Sequence, residues 1–292
     1  MYYIGIDLGG TNIKAGVCDE NGKILIKDSV KTHVEKGLEY VVDAMSGLAL
    51  DLVKRQGLTV DDIEYIGVAT PGTADDSTGV IVYCSSIPFR AYPLAEKMSE
   101  KTGIKIVHIE NDANAAAKGE ATVGSAKGYN SSLLITLGTG VGGGTLIGLS
   151  KKALRMENVR QIEELAADGN LENVDLTISD ITKKNIIPTL SSEATAANFG
   201  KLSDIATSAD IALGIINLIL ETIGMMGVFT ARSKRIKDIV LIGNLSNLNQ
   251  CKEKFDSMSK MFGVRFMIPE KSQYATVIGT ALMHFDKPEE TK

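Results

Sequence analysis

The chain has 292 residues, 44% of them hydrophobic and 23% charged, with a net charge of −5. That composition is globular and long enough to bury a core without disulfides or metal, and its mild acidity offers no footprint for nucleic acid or an anionic membrane. Three widely spaced cysteines, Cys18, Cys84 and Cys251, argue against a disulfide framework and a cysteine-rich zinc site, and make a reducing cytoplasm the expected compartment.

Residues 2–8 read as a strand, Gly9-Gly10-Thr11-Asn12 as a turn, and 13–19 as a second strand. Asn21-Gly22 is a hairpin signal that predicts a third strand over 23–30. No basic and apolar leader pattern precedes the first strand. Val41, Met45, Leu48 and Leu52 recur at helical spacing, which predicts a helix over 38–56 closed by Gly57. A buried strand over 63–69 breaks at Pro71-Gly72. A short helix over 94–101 and a strand over 104–109 lead into Glu110-Asn111-Asp112. A helix of small residues over 113–120 follows.

The second half opens with an apolar strand over 132–137 and a glycine run, Gly138 to Gly144. Helices are expected over 151–168, 174–181, 191–200 and 207–233. The apolar stretch 211–228 carries three glycines, Asn217 and Glu221, so it reads as a buried core helix rather than a membrane span. A strand over 239–242 ends in Gly243-Asn244. A helix over 250–261, a strand over 264–268 and a helix over 275–286 close the chain. Two α/β lobes with related openings suggest a duplicated fold with a cleft between them. The lobe boundaries are expected at 1–115, with the last helix packing back on it, and 116–274.

Four motifs carry chemistry. In Asp7-Leu8-Gly9-Gly10-Thr11-Asn12-Ile13-Lys14 an acid ends a strand, and glycines let backbone N–H groups approach phosphate. Asp7 would hold Mg²⁺ through water, with Gly9, Gly10, Thr11, Asn12 and Lys14 toward phosphates; an ordinary β-turn explains the pattern equally well. Gly138, Thr139, Gly140 and Gly142 form a second phosphate cradle, or else a flexible loop. Asp112 could take a proton from an acceptor hydroxyl, and Glu110 and Asn111 could bind the acceptor. Taken alone, Asp112 reads better as a helix cap. Gly243 and Asn244 would edge an adenine or form a plain strand-to-helix turn.

In this order the motifs resemble two families. Residues 1–148 are similar to ROK sugar kinases through 4–14 (IGIDLGGTNIK), 67–72 (GVATPG), 110–116 (ENDANAA) and 137–144 (LGTGVGGG). The resemblance implies phosphate and Mg²⁺ binding at the first motif, sugar contact at Asn111 and Asp112, a Gly72 loop near the sugar, and Asp112 as the base. Residues 144–285 resemble type II pantothenate kinases through 142–149 (GGGTLIGL), 165–181 (LAADGNLENVDLTISDI), 194–200 (ATAANFG), 239–244 (IVLIGN) and 277–282 (VIGTAL). Both families imply a two-lobed actin/hexokinase/Hsp70-like (ribonuclease H-like) fold with an interlobe cleft, ATP with Mg²⁺, and a homodimer.

The departures are specific. The Gly-Glu-x-Gly-His segment and cysteine cluster of ROK kinases are missing, so no zinc site is expected. The substrate arginine hairpin of pantothenate kinases is missing too. The expected function is an ATP-dependent kinase acting on a hexose hydroxyl. The alternatives are a pantothenate kinase serving coenzyme A synthesis and a non-catalytic nucleotide binder. A DNA-binding repressor is not expected, because the phosphate strand begins at residue 2.

Overall fold

A computed structural model describes residues 1–84, 86–182, 192, 194–270 and 272–284. The chain divides into two compact units, Met1–Tyr129 joined by the chain from Gln273 onward, and Asn130–Ser272. The division falls at 129/130 and 272/273, not at 115/116 and 274/275. The expected first boundary would have cut a helix near its start.

In the first unit, β1 (Tyr2–Leu8), β2 (Asn12–Asp19) and β3 (Ile24–Lys31) form an antiparallel meander. Gly22 takes φ 71° at the second turn, and Asp19 Oδ1 accepts the N–H groups of Asn21 and Lys23. α1 (Leu38–Arg55) follows. It buries Val41, Val42, Met45, Leu48, Ala49, Leu52 and Val53, one face at helical period. That face joins Ile4, Ile6, Leu8, Ile66 and Val68 in one core, each large side chain contributing about 1.5–3 kcal/mol.

Then come β4 (Ile63–Thr70), β5 (Thr73–Asp75), β6 (Val80–Tyr83), β7 (Arg90–Tyr92), α2 (Leu94–Thr102), β8 (Val107–Asn111) and α3 (Asp112–Thr122). The main sheet has the order β3-β2-β1-β4-β8, with β1, β4 and β8 parallel. The strands β5, β6 and β7 form a small antiparallel sheet that sequence patterning missed. They are three or four residues long, too short to display a period.

The closing helix Ala275–Ala281 lies against β1, β4 and α3. Gly5 and Gly67 make this approach feasible: a Cβ on either would strike the carbonyl of Val277 or Thr280 respectively. The expected helix over 275–286 thus ends at Ala281, and residues 285 and 286 lie outside the described chain.

In the second unit, β9 (Leu133–Thr136) is followed by α4 (Gly144–Leu154) and α5 (Val159–Ala166). One helix was expected over 151–168. Arg155 instead stops α4 in the left-handed region, and Asn158 starts α5 by accepting the N–H groups of Arg160 and Gln161. The span expected as helix 174–181 holds β10 (Leu176–Thr177) and the short α6 (Ile178–Ile181). The expected helix over 191–200 is in its described part a strand, β11 (Thr195–Ala197), paired antiparallel with β10. Residues 191 and 193 lie outside the described chain.

α7 (Ser208–Ser233), β12 (Asp238–Ile242), α8 (Asn249–Phe262) and β13 (Arg265–Met267) complete the unit. Its sheet is parallel in the order β13-β12-β9. α7 is long and apolar enough to cross a membrane, yet 61% of its apolar window is buried within the fold. Its Ile215, Ile216, Ile219, Leu220 and Ile223 belong to the core of this unit. The carboxylate in that helix is also accounted for. Glu221 accepts from Thr195 Oγ1 (2.7 Å), Asn198 Nδ2 (2.9 Å) and Lys254 Nζ (2.9 Å). Burial pushes its carboxyl up, but Lys254 and the other donors bring it below the usual range.

Candidate active site

In the first unit, Asp7 pairs in register with Lys14 across the β1–β2 hairpin. The tip, Gly10 and Thr11, is exposed. Three bonds hold its shape: Gly9 N–H to Asn12 O (3.1 Å), Thr32 N–H to Thr11 O (3.0 Å) and Thr32 Oγ1 to Gly9 O (2.6 Å). Thr32, fully buried, is a clamp that no local pattern announced. Burial pushes the Asp7 carboxyl up to about 6; Lys14 draws it down and Asp112 pushes it further up. Lys14 Nζ donates to Gln273 O at 3.1 Å, so it is tethered to the segment before the closing helix.

The coupling of Asp7 to Asp112 follows from the sheet. β1 and β4 are parallel neighbours, as are β4 and β8, so the tips bearing these carboxylates lie at one sheet edge. β8 runs further than expected, to Asn111, which pairs with Thr70. Asn111 Oδ1 caps α3 by accepting the N–H groups of Ala113 (3.0 Å) and Asn114 (3.2 Å). Its Nδ2 donates to Gly72 O at 3.0 Å. Two residues expected at the acceptor site are thus bonded to each other.

Glu110 Oε1 accepts from Asn111 N (2.7 Å) and Asn114 Nδ2 (3.1 Å), so one of its oxygens braces the turn. Asp112 Oδ1 accepts from Ala113 N at 2.8 Å. Burial raises the Asp112 carboxyl against the lowering effect of that bond.

In the second unit, the residues 139–143 form one wide turn in which Val141 and Gly142 leave helical geometry. Gly142 has φ 91°, and an added Cβ would lie 2.8 Å from Ile223 Cδ1 and 2.9 Å from Ile219 Cγ2. Gly138 and Gly140 face open space. The run therefore has two jobs: Gly142 permits close packing, and Gly138 and Gly140 leave room outside. The side chain of Thr139 lies outside the described residues.

The turn opens directly onto α4, whose N-terminus has no side-chain cap. Gly143 N–H, at that junction, donates back to Gly138 O at 3.0 Å. At the root of the turn, Thr136 Oγ1 is buried with no partner among the described residues. The Gly243-Asn244 turn packs beside it, with Leu137 N–H donating to Ile242 O (2.7 Å) and Leu245 N–H to Leu137 O (3.2 Å). Gly243 has φ 96°, and a Cβ there would lie 2.5 Å from Leu137 O. Asn244 is exposed. An open hollow nearby is lined by Arg160, Glu163, Glu164, Ala167, Asn247 and Asn249, none of which the sequence singled out. Both turns stand at the C-terminal edge of a parallel sheet, where open α/β sheets bind ligands.

Comparison with known proteins follows the same division. The ROK family model matches residues 3–152 and the Fumble model residues 130–264. A glucokinase of Streptomyces coelicolor is 40% identical over 146 residues, 50% of this chain and 43% of the relative. A type II pantothenate kinase of Bacillus cereus is 34% identical over 119 residues, 40% of this chain and 43% of the relative. In both pairings the chain spans less than half the relative's length. A ROK family glucokinase from Streptomyces griseus, solved with glucose and AMPPNP, superposes with a TM-score of 0.70 at 22% identity, over 97% of this chain and 99% of that one. That likeness establishes the two-lobed kinase fold. With a match running from residue 3 to residue 152, just over half of its length, the chain belongs to the ROK family.

Proposed function

We propose that this protein is an ATP-dependent kinase that transfers the γ-phosphate to a hexose hydroxyl, with Asp112 as the base. The observation that carries the reading is the linked acceptor edge of the first unit. Asn111 is bonded to the Gly72 loop, beside a buried carboxyl at Asp112 whose pKa is raised. A raised pKa makes Asp112 a stronger base for a hydroxyl proton than an ordinary aspartate. Asn111 and the Gly72 loop would orient the sugar so that the attacking oxygen meets Asp112. Phosphoryl transfer asks for little else beyond positioning and charge stabilisation.

The residues present fit the nucleotide and its metal. The open faces at Gly138 and Gly140 suit phosphate oxygens. The hollow beside Gly243 and Asn244 suits the nucleoside. Asp7, a half-buried carboxylate with Lys14 opposite, would hold Mg²⁺ through water. Bound there, Mg²⁺ supplies neutralisation of phosphate charge. The Gly10 and Thr11 tip would add N–H donors.

A second reading, a pantothenate kinase, is favoured by the Fumble match over residues 130–264. A coupled assay with ATP and glucose, fructose, N-acetylmannosamine or pantothenate decides between them. Turnover of one of the sugars is expected. Turnover of pantothenate alone would replace the first reading with the second, and ATP binding without turnover of any acceptor would sink both.

A further inference from the structure

Two of the three histidines in the chain, His108 and His284, meet at one carboxylate. Asp76 lies in the β5–β6 connection, His108 in β8, and His284 just beyond the closing helix. His108 Nδ1 stands 3.1 Å from Asp76 Oδ1, and His284 Nε2 3.0 Å from Asp76 Oδ2. One nitrogen or oxygen from each residue fits within a 4.8 Å cluster. The imidazoles stack at 3.6 Å between centroids, 22° from parallel.

The surroundings fix all three. Asp76 Oδ1 accepts Ile109 N–H at 2.9 Å. Tyr65 sets its ring edge-on to His108 (5.2 Å) and His284 (6.3 Å). Its hydroxyl donates to Ala281 O (2.8 Å) and accepts the His284 N–H (3.3 Å), so the backbone carrying His284 is held as well. The side chains remain 24–40% exposed, which leaves a way in from solvent.

We infer that Asp76, His108 and His284 form a binding site for a divalent transition cation of the Zn²⁺ class. Two imidazoles and a carboxylate are a borderline-soft donor set that such ions prefer over Mg²⁺. With bonds of about 2.0–2.1 Å, tetrahedral ligand atoms lie about 3.3 Å apart. Measured to the one oxygen Asp76 Oδ2, His108 Nδ1 stands at 3.2 Å and His284 Nε2 at 3.0 Å, so both need to open by only a few tenths of an ångström. Water would take the fourth position. The site is separate from the nucleotide residues and contains none of the cysteines. Its effect would be to pin the end of the closing helix to β8 and to the connection that follows the Gly72 loop.

The test uses the full chain stripped with chelator and kept in excess Mg²⁺, so that oxygen-rich sites stay occupied. Zn²⁺ is titrated by calorimetry and by thermal melting, and Co²⁺ by its visible absorption. One equivalent should bind, raise the melting temperature and give a tetrahedral Co²⁺ spectrum. His284→Ala and Asp76→Asn should each weaken binding by roughly 100-fold, above the effect of losing an outer partner. His33→Ala should leave it unchanged. If His284→Ala folds poorly, His284→Gln and the wild-type Co²⁺ spectrum decide. No uptake by the wild type, or equal uptake by wild type and both variants, would overturn the site. Destabilisation of His284→Ala with no response of the wild type to Zn²⁺ would reduce the cluster to a hydrogen-bonded latch.

Discussion

Two parallel strands run into two helices, and the junctions are built in opposite ways. In the first unit β8 enters α3 through Glu110, Asn111 and Asp112; the Asn111 and Asp112 side chains bond the helix's own N–H groups, and Glu110 braces the turn. In the second, β9 enters α4 through a glycine turn with no side-chain cap. A capped terminus has spent its donors internally, and its side chains are what remain for chemistry. The α4 entry has no such cap: its glycine turn leaves open faces at Gly138 and Gly140, while Gly143 N–H bonds back to Gly138 O. On the proposed function, strand followed by helix serves as an acid-base edge in one unit and a phosphate cradle in the other.

Substitutions can break this contrast. Asp112→Asn should lower turnover by about 10²–10⁴-fold while nucleotide affinity stays nearly unchanged, as read by steady-state kinetics and calorimetry. Equal loss of both would make Asp112 a structural cap. In the cradle, Gly142→Ala should destabilise the fold by roughly 2–4 kcal/mol, combining positive-φ strain with overpacking against Ile219 and Ile223. Gly140→Ala should change stability by less than about 1 kcal/mol and weaken nucleotide binding instead. Denaturant melts and binding isotherms separate the two, and matched behaviour of both variants would contradict the split.

The pH dependence comes next. Asp7 is pushed up to about 6 and Asp112 is also raised, and the proposed roles need both ionised. Activity should therefore fall as pH drops through about 6, by about tenfold per unit for each group protonated. An acid limb in kcat/KM near the ordinary aspartate value would refute that assignment. The smallest effect is expected from Asn111→Ala, which should cost about 1 kcal/mol for the lost cap. It should also raise the KM for the acceptor, since the Gly72 loop loses its tie.

The strands β1, β2, β4 and β12 were legible because buried apolar runs end at glycine or asparagine turns, a signal carried by neighbours in the chain. The motifs were legible for the same reason: Asp7 lies near the end of β1, Asp112 and Gly243 directly follow β8 and β12, and Gly138 comes just after β9. The strand Thr195–Ala197 was misread as a helix, since its alanines are strong helix formers and only pairing with Leu176 and Thr177 overrides that preference. The sheet β5–β7 was lost because its strands are too short for periodicity.

By itself the sequence determined the strand tips, the glycine turns and the carboxylates that end them, because backbone geometry and burial there depend on a few adjacent residues. Tertiary structure alone decided that Asn111 bonds Gly72, that Thr32 clamps the β1–β2 hairpin, that the closing helix returns to the first unit, and that His108 and His284 converge on Asp76. Most of these partners stand far apart in the chain, as do Lys14 and Gln273, 259 positions apart. Chain separation of that order leaves no local imprint, and only the packing of the β-sheet against its helices brings the partners within reach.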